Sequence, residues 1–204
     1  MIDVLKEKNG ILVEGHIKIF DPESDHVYVN KRNAIHYENM SVALAKSLSN
    51  AGEGWIYEMS FGNGGTSVDP TGIITYLTPN STGTNASLYN QTYTKVVDDR
   101  SINNLDPVRN KIETRHVSGT NYTDVLVTCL LDYGEPSGQD AFDTATNASS
   151  LYVFDELGLK GWDSTGTGDL LTHVIFHPVQ KSLNRLIQID YTVRVQSLTG
   201  FNEG

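Results

Sequence analysis

The sequence predicts an all-β fold, a β-sandwich or jelly roll carrying one helix near residues 34–50. Three observations predict it. Long runs alternate apolar and polar residues at both ends of the chain. Only one segment repeats its apolar residues every three to four positions. Polar turns rich in Gly, Asn, Ser, Thr and Pro separate many further short apolar runs, which is the mark of packed sheets rather than of alternating βαβ units.

The clearest run is IQIDYTVRVQ, in which Ile187, Ile189, Tyr191, Val193 and Val195 share one face and Gln188, Asp190, Thr192, Arg194 and Gln196 the other. Near the start, Ile11, Val13, Gly15, Ile17 and Ile19 face one way and Glu14, His16 and Lys18 the other. The turn residues of DPESD follow, and Val27 and Val29 resume the pattern, so residues 11–30 read as a β-hairpin with a long loop. In NAIHYENMSVALAKSLSNAG the stripe Tyr37, Met40, Ser41, Leu44, Leu48 and Ala51 predicts the helix, with Gly52 placed to end it. Strands are then expected in the alternating Trp55, Tyr57, Met59 and Phe61, and in ITYLT, SLYNQTYTKVV, KIETRHV, DVLVTCLLDY, SLYVFDEL and LLTHVIFHPV. The turns between them are TPNSTGTN, NNLDP, YGEPSGQD and GWDSTGTGD. No repeat or linker divides the chain, so the expectation is one domain over 1–204, with residues 1–10 as an N-terminal arm.

Composition narrows the function classes. With 25 acidic against 15 basic residues the formal net charge is −10, which disfavours general binding to nucleic-acid phosphates. The single cysteine, Cys129, precludes an internal disulfide and lies in an apolar run as a small core residue. The N-terminus lacks the pattern of a signal peptide, and no apolar run reaches membrane-spanning length. The sequons at Asn80, Asn85, Asn90, Asn121 and Asn147 mark polar loops.

Each candidate site has a plainer reading beside it. FGNGGTS, residues 61–67, looks like a phosphate cradle, but it has no lysine, Asp69 would repel a phosphate, and Pro70 with Gly72 opens another turn rather than a helix. The expectation is a tight reversal in which Gly-Asn-Gly-Gly supplies positive-φ backbone. His173 and His177 have helical metal-site spacing, yet on a strand they stand about 13 Å apart, too far to share one ion. Partly buried sheet histidines are the expectation. Asp163 and Asp169 lack the EF-hand pattern, and Asp98, Asp99 and Arg100 read as a loop ion-pair cluster. No metal or cofactor is expected, and no Gly-x-Ser-x-Gly elbow is present. The tyrosines, 10 in number, with Tyr76, Tyr89 and Tyr93 near polar residues, leave open a carbohydrate-binding sandwich. A hydrolase with a dispersed His–carboxylate site is the other rival.

The phrases KRNAIHYENMSVALAKSLSN, MSFGNGGTSVDPTGIITYLTPN, TDVLVTCLLDYGEPSGQ and LLTHVIFHPVQKSLNRLIQIDYTVRVQ together resemble virion structural proteins of tailed bacteriophages. The resemblance implies a neck or collar protein at the head–tail junction, or else a capsid decoration or baseplate protein. It implies no catalytic residue. It implies assembly in the bacterial cytoplasm, self-association as a ring, and contacts to neighbouring portal, head-completion, tail or capsid proteins, with DNA passing an acidic lumen. FHPVQKSLNR, residues 176–185, is expected to be the loop between the last two strands. Together with FGNGGTSVDPTG it gives the expected subunit contacts: Phe61, Asn63, Gly64, Phe176, His177, Pro178, Lys181 and Arg185.

Overall fold

The two longest alternating runs, at opposite ends of the chain, pair with each other. Strand β1 (Lys8–Phe20) lies antiparallel to β11 (Ile187–Gly200), in continuous register from Lys8 opposite Gly200 to Phe20 opposite Gln188. The computed structural model describes residues 8–83, 86–136, 151–166 and 168–200. Of the expected arm, residues 8–10 already belong to β1, and residues 1–7 lie outside the described residues. The elements between the terminal strands are β2 (Val27–Ile35), α1 (Tyr37–Leu48), β3 (Ile56–Gly62), β4 (Thr66–Val68), β5 (Ile74–Tyr76), β6 (Gln91–Val96), β7 (Lys111–His116), β8 (Tyr122–Leu131), β9 (Leu151–Gly161) and β10 (Thr172–Ser182).

All but β4 and β5 form one nine-stranded antiparallel sheet in the order β6-β3-β9-β10-β2-β1-β11-β8-β7. The protein is all-β, with one helix among the described residues, where the sequence predicts it. Two blocks of strands meet at a narrow seam, where β2 and β10 pair only through Ile35 with Thr172 and Ala34 with His173. The sheet curls about that seam, so that strands near its two edges meet. Lys95 of β6 donates its ammonium to the Leu130 carbonyl of β8 at 2.6 Å, although six strands separate them in the sheet order. The core fills the inside of the curl: Ile17, Ile19, Val127, Cys129, Ile189 and Tyr191 from one block, and Met59, Phe61, Phe154, Leu157 and Phe176 from the other. Burial pushes the Cys129 thiol up to about 12, as suits an inert core residue.

The expected hairpin is present, with β1 antiparallel to β2, and its turn is closed by Asp21, which accepts the Glu23 amide at 2.9 Å. The helix is shorter than expected, since residues 34 and 35 still belong to β2. It is also rotated about its axis. The buried side chains are Asn39, Met40 and Ala43, whereas Tyr37 and Leu48 of the expected stripe are exposed. Two polar contacts set this rotation. The His36 ring caps the helix by accepting the Asn39 amide, and the Asn39 side chain donates to the Leu170 carbonyl at 2.9 Å. Asn50, not Gly52, is the first residue past the helix to take a left-handed φ.

The loop between β6 and β7, residues 97–110, bridges the two edges of the curled sheet. Val97 and Asp98 donate their amides to the Tyr57 carbonyl, and Asn104 donates to the carbonyls of Asp98 and Asn110. Asn110 is fully buried. Its side-chain oxygen accepts the Leu130 amide at 2.9 Å and its side-chain nitrogen donates to the Asp106 carbonyl at 3.0 Å. Removing that side chain leaves a buried backbone N–H without a partner, which costs about 1–3 kcal/mol. Asn110→Ala is therefore expected to lower stability by that amount in urea denaturation and to make residues 97–110 the first site of proteolytic nicking.

Candidate functional site

The phosphate-like loop holds an anion, and the anion is the protein's own. Along β9 the core-facing residues are Tyr152, Phe154, Leu157 and Leu159. The alternation slips by one residue between Phe154 and Leu157, which leaves both Asp155 and Glu156 off the core face. The slip matches a bulge in β10. Ile175 pairs with Glu156 and Val179 with Phe154, so Phe176, His177 and Pro178 stand against Asp155 alone. A bulge is where a sheet accommodates proline, which has no N–H to give.

Glu156 is fully buried and accepts four hydrogen bonds: from the amides of Gly64 (3.1 Å), Tyr89 (2.9 Å) and Asn90 (2.8 Å) and from the His173 ring (3.0 Å). Asp155 accepts the amides of Gly65 and Thr66, both at 2.9 Å, and the Thr66 hydroxyl. His173 is also fully buried, and its Nδ1 accepts the Asn80 amide at 2.8 Å, so its proton sits on Nε2 and points at Glu156. Two adjacent carboxylates and one imidazole thus fasten residues 64–66, 80 and 89–90 over the outer face of β3, β9 and β10.

The glycines of the loop serve this approach. None of Gly62, Gly64 and Gly65 has a positive φ, contrary to the reversal expected from sequence. A Cβ on Gly62 would sit 2.5 Å from both the Asn90 carbonyl and the Glu156 carboxylate, and one on Gly64 2.7 Å from the Asn90 nitrogen. These positions are glycine because the backbone passes too close to its neighbours for any side chain. The stretch expected to be only a turn also forms β4, paired with β5.

The electrostatics of the pair are split. Desolvation pushes the Glu156 carboxyl up, but the hydrogen bonds from His173, Asn90, Tyr89 and Gly64 outweigh it and hold the group below its ordinary range. Desolvation dominates at Asp155 and raises it. The arrangement contains the His–carboxylate pair that a hydrolase uses. Here both groups are sealed from solvent and both ring nitrogens are engaged by the protein itself.

A second buried charge fixes the turn after β8. Lys181 donates to the carbonyls of Asp132, Glu135 and Ser182 at 2.8–2.9 Å, and burial pushes its ammonium down to about 8. Lys95 pairs with the Glu135 carboxylate in the same place.

The expected contact residues fall into two groups. Phe61, Phe176 and Lys181 are buried inside the chain's own fold, the two phenyl rings each packing edge-to-face with Phe154. FHPVQKSLNR is mostly strand, not loop, because the bulge absorbs Pro178 and the three carbonyls hold Lys181. Asn63, Gly64 and Pro178 are half-buried, and His177 and Arg185 are exposed. His177 meets the Tyr76 hydroxyl at 3.3 Å and is exposed, whereas His173 is buried. Asp163 closes its own turn by accepting from Thr165. Asp98 pairs with Arg100 at 3.0 Å, as the cluster reading expects. No group of three or more metal-binding side chains occurs among the described residues.

Two features went unread in the sequence. Loop 97–110 thrusts large apolar side chains into solvent: Ile102 and Leu105 are each 97% exposed and Val108 78%. Beside it lies a cleft of about 360 Å³ lined by Trp55, Tyr57, Asp98, Arg100, Ser101 and Trp162. NNLDP looks like an ordinary turn, and no local pattern joins Trp55 to Trp162. Compared with known proteins, the chain matches no family model, no curated protein and no solved structure.

Losing one partner of a buried charged pair costs about 3–5 kcal/mol. Glu156→Gln replaces an acceptor with an amide whose N–H₂ faces backbone donors, and a stability loss of about that size is expected by urea denaturation. The sign with pH follows from the lowered carboxyl. A depressed folded-state value contributes stability that is present above the ordinary value of 4.5 and lost as pH falls through the folded one. The native protein should therefore lose stability below about pH 4.5 more steeply than Glu156→Gln does, read from denaturation midpoints at successive pH values.

Proposed function

We propose that this chain is a structural component of a tailed-bacteriophage virion, positioned at the neck or collar between head and tail, and that it works by gripping neighbouring subunits. The observation that carries the reading is the loop at residues 97–110. Ile102, Leu105 and Val108 are exposed on a segment whose backbone is tied down at both ends by Tyr57, Asn104 and Asn110. Fully exposed large apolar side chains cost solvation, and a rigid loop that presents them is preorganised for docking.

The resemblance of four long phrases to phage virion proteins supports the same reading, and so does the use of the chain's buried charges to fasten loops. Copies arranged head to tail around an axis make heterologous interfaces that close into a ring. A net charge of −10 suits a lumen past which DNA slides without sticking. Assembly takes place in the bacterial cytoplasm, where neighbouring head and tail proteins supply the partners.

Purified protein is expected to form rings or a lattice, alone or with its virion neighbours, by negative-stain microscopy and light scattering. Ile102→Asp combined with Leu105→Asp should weaken that association at least about tenfold, since burying each such side chain is worth about 1.5–3 kcal/mol. The melting temperature of the protomer should stay unchanged, because neither side chain packs on its own chain. A protein that remains monomeric with its neighbours present counts against the reading, and labelling its position in intact particles tests the neck assignment.

A further inference from the structure

The cleft beside loop 97–110 goes beyond the assembly role. We infer that it is a binding site for the neutral hexopyranose rings of a glycan, with Trp55 and Trp162 as the stacking platform.

Both tryptophans of the chain converge here. Reciprocal backbone hydrogen bonds fix them, from Gly54 to the Trp162 carbonyl at 3.0 Å and from Trp162 to the Trp55 carbonyl at 2.8 Å. Their rings lie near-parallel, at 13° with centroids 5.9 Å apart, and Tyr57 packs edge-on against Trp162 at 4.7 Å. Both indoles are half-exposed. The cleft of about 360 Å³ is at the small end of small-molecule sites, a size suited to one or two sugar rings.

The polar groups select the ligand class. The Trp55 indole N–H is already taken by buried Asp98 at 2.9 Å, one face of the ring stacks on Trp162, and the exposed Arg100 guanidinium stands over the ring at 5.8 Å, so Trp55 offers a ligand carbon surface beside a guanidinium and not an indole donor. A proline-rich peptide would draw on a free indole N–H to hold its carbonyls; a pyranose needs only the face for its C–H side. Asp98 also binds Arg100, and the opposite charges cancel, which favours a neutral ligand over a phosphate or carboxylate. The Arg100 side chain is 71% exposed and, with Ser101, stands at the rim, where sugar hydroxyls accept and donate hydrogen bonds. Tyr76, Tyr89 and Tyr93, the aromatics singled out in the sequence for sugar contact, lie elsewhere. Tyr93 is buried, the Tyr89 hydroxyl donates to the Thr78 carbonyl, and Tyr76 meets His177.

Because both tryptophans line the cleft, intrinsic fluorescence reports occupancy directly. Titration of the full chain with maltohexaose and with cellohexaose, beside a printed panel of neutral glycans, is expected to give saturable quenching by at least one of them, with Kd on the order of 1 mM. Trp162→Ala should weaken binding at least about tenfold and Arg100→Ala about threefold. Circular dichroism checks the fold of each, and Arg100→Ala removes only an exposed side chain should Trp162→Ala fail to fold. No binding by the soluble sugars or the panel overturns the inference. So does binding that Arg100→Ala and Trp162→Ala both leave unchanged, or saturable binding of a proline-rich peptide in place of sugar.

Discussion

The outer face of the sheet depends on one carboxylate. Glu156 is held without solvent by three backbone amides and one imidazole, which come from three separate stretches of chain. A buried charge is tolerable only when its acceptor positions are filled, so the four donors have to arrive together. Their arrival fixes the positions of Gly64, Tyr89, Asn90 and His173, and through the Nδ1 of His173 that of Asn80. The charge owes its location to a defect in periodicity. A regular β9 would turn either Asp155 or Glu156 into the core; the paired slip in β9 and bulge in β10 turn both outward. A glycine-rich loop of the kind that receives a phosphate elsewhere in biology receives side-chain carboxylates here, by the same use of close backbone N–H groups.

The strands were legible where one face is wet and the other dry. Ile187 to Val193 alternate because β11 is half-buried along its length, and β1 pairs with it in unbroken register. The existence of the helix was legible for the same reason, but its rotation was not, since the Asn39 contact to Leu170 comes from a distant segment. The polar stretch from His177 to Lys181 reads as loop because buried lysine and mid-strand proline are both rare. Each is accommodated by a feature invisible in local sequence, the bulge for Pro178 and the three carbonyls for Lys181. The spacing of Tyr152, Phe154, Leu157 and Leu159 did carry the signal of the slipped face, and with it the pointer to Asp155 and Glu156. The meeting of Trp55 with Trp162, and of Lys95 with Leu130, depends on how the sheet curls, and no window of sequence contains that.

Buried polar residues and exposed apolar ones do two different kinds of work in the loops of this chain. Glu156, Asp155, His173, Asn110 and Lys181 are inaccessible and hold loops in place. Exposed on the loops so held are apolar side chains, Ile102 and Leu105 above all. This inverts the usual distribution, and the inversion has a thermodynamic use. An interface loses part of its affinity to the ordering of loops on docking, and a loop already ordered by buried hydrogen bonds avoids that loss. The stability invested in Asn110 and Asp98 is in this sense part of the proposed docking surface.

Asp98 links the two exposed features. Its side chain orients Trp55 and Arg100 at the cleft, and its carbonyl accepts from Asn104 within the loop that carries Ile102 and Leu105. Arg100 and Ser101 belong to both, lining the cleft and leading directly into Ile102. On the proposed reading, a neighbouring subunit seated on Ile102 would stand at the rim of the cleft, and a ligand in the cleft would touch the anchor of the loop. The two features share the anchor Asp98, so a change there reaches the aromatic cleft and loop 97–110 together. Changes at Glu156, on the outer face of the sheet, act on Gly64, Tyr89 and Asn90 and, through His173, on Asn80, whose anchoring hydrogen bonds are distinct from those of Asp98.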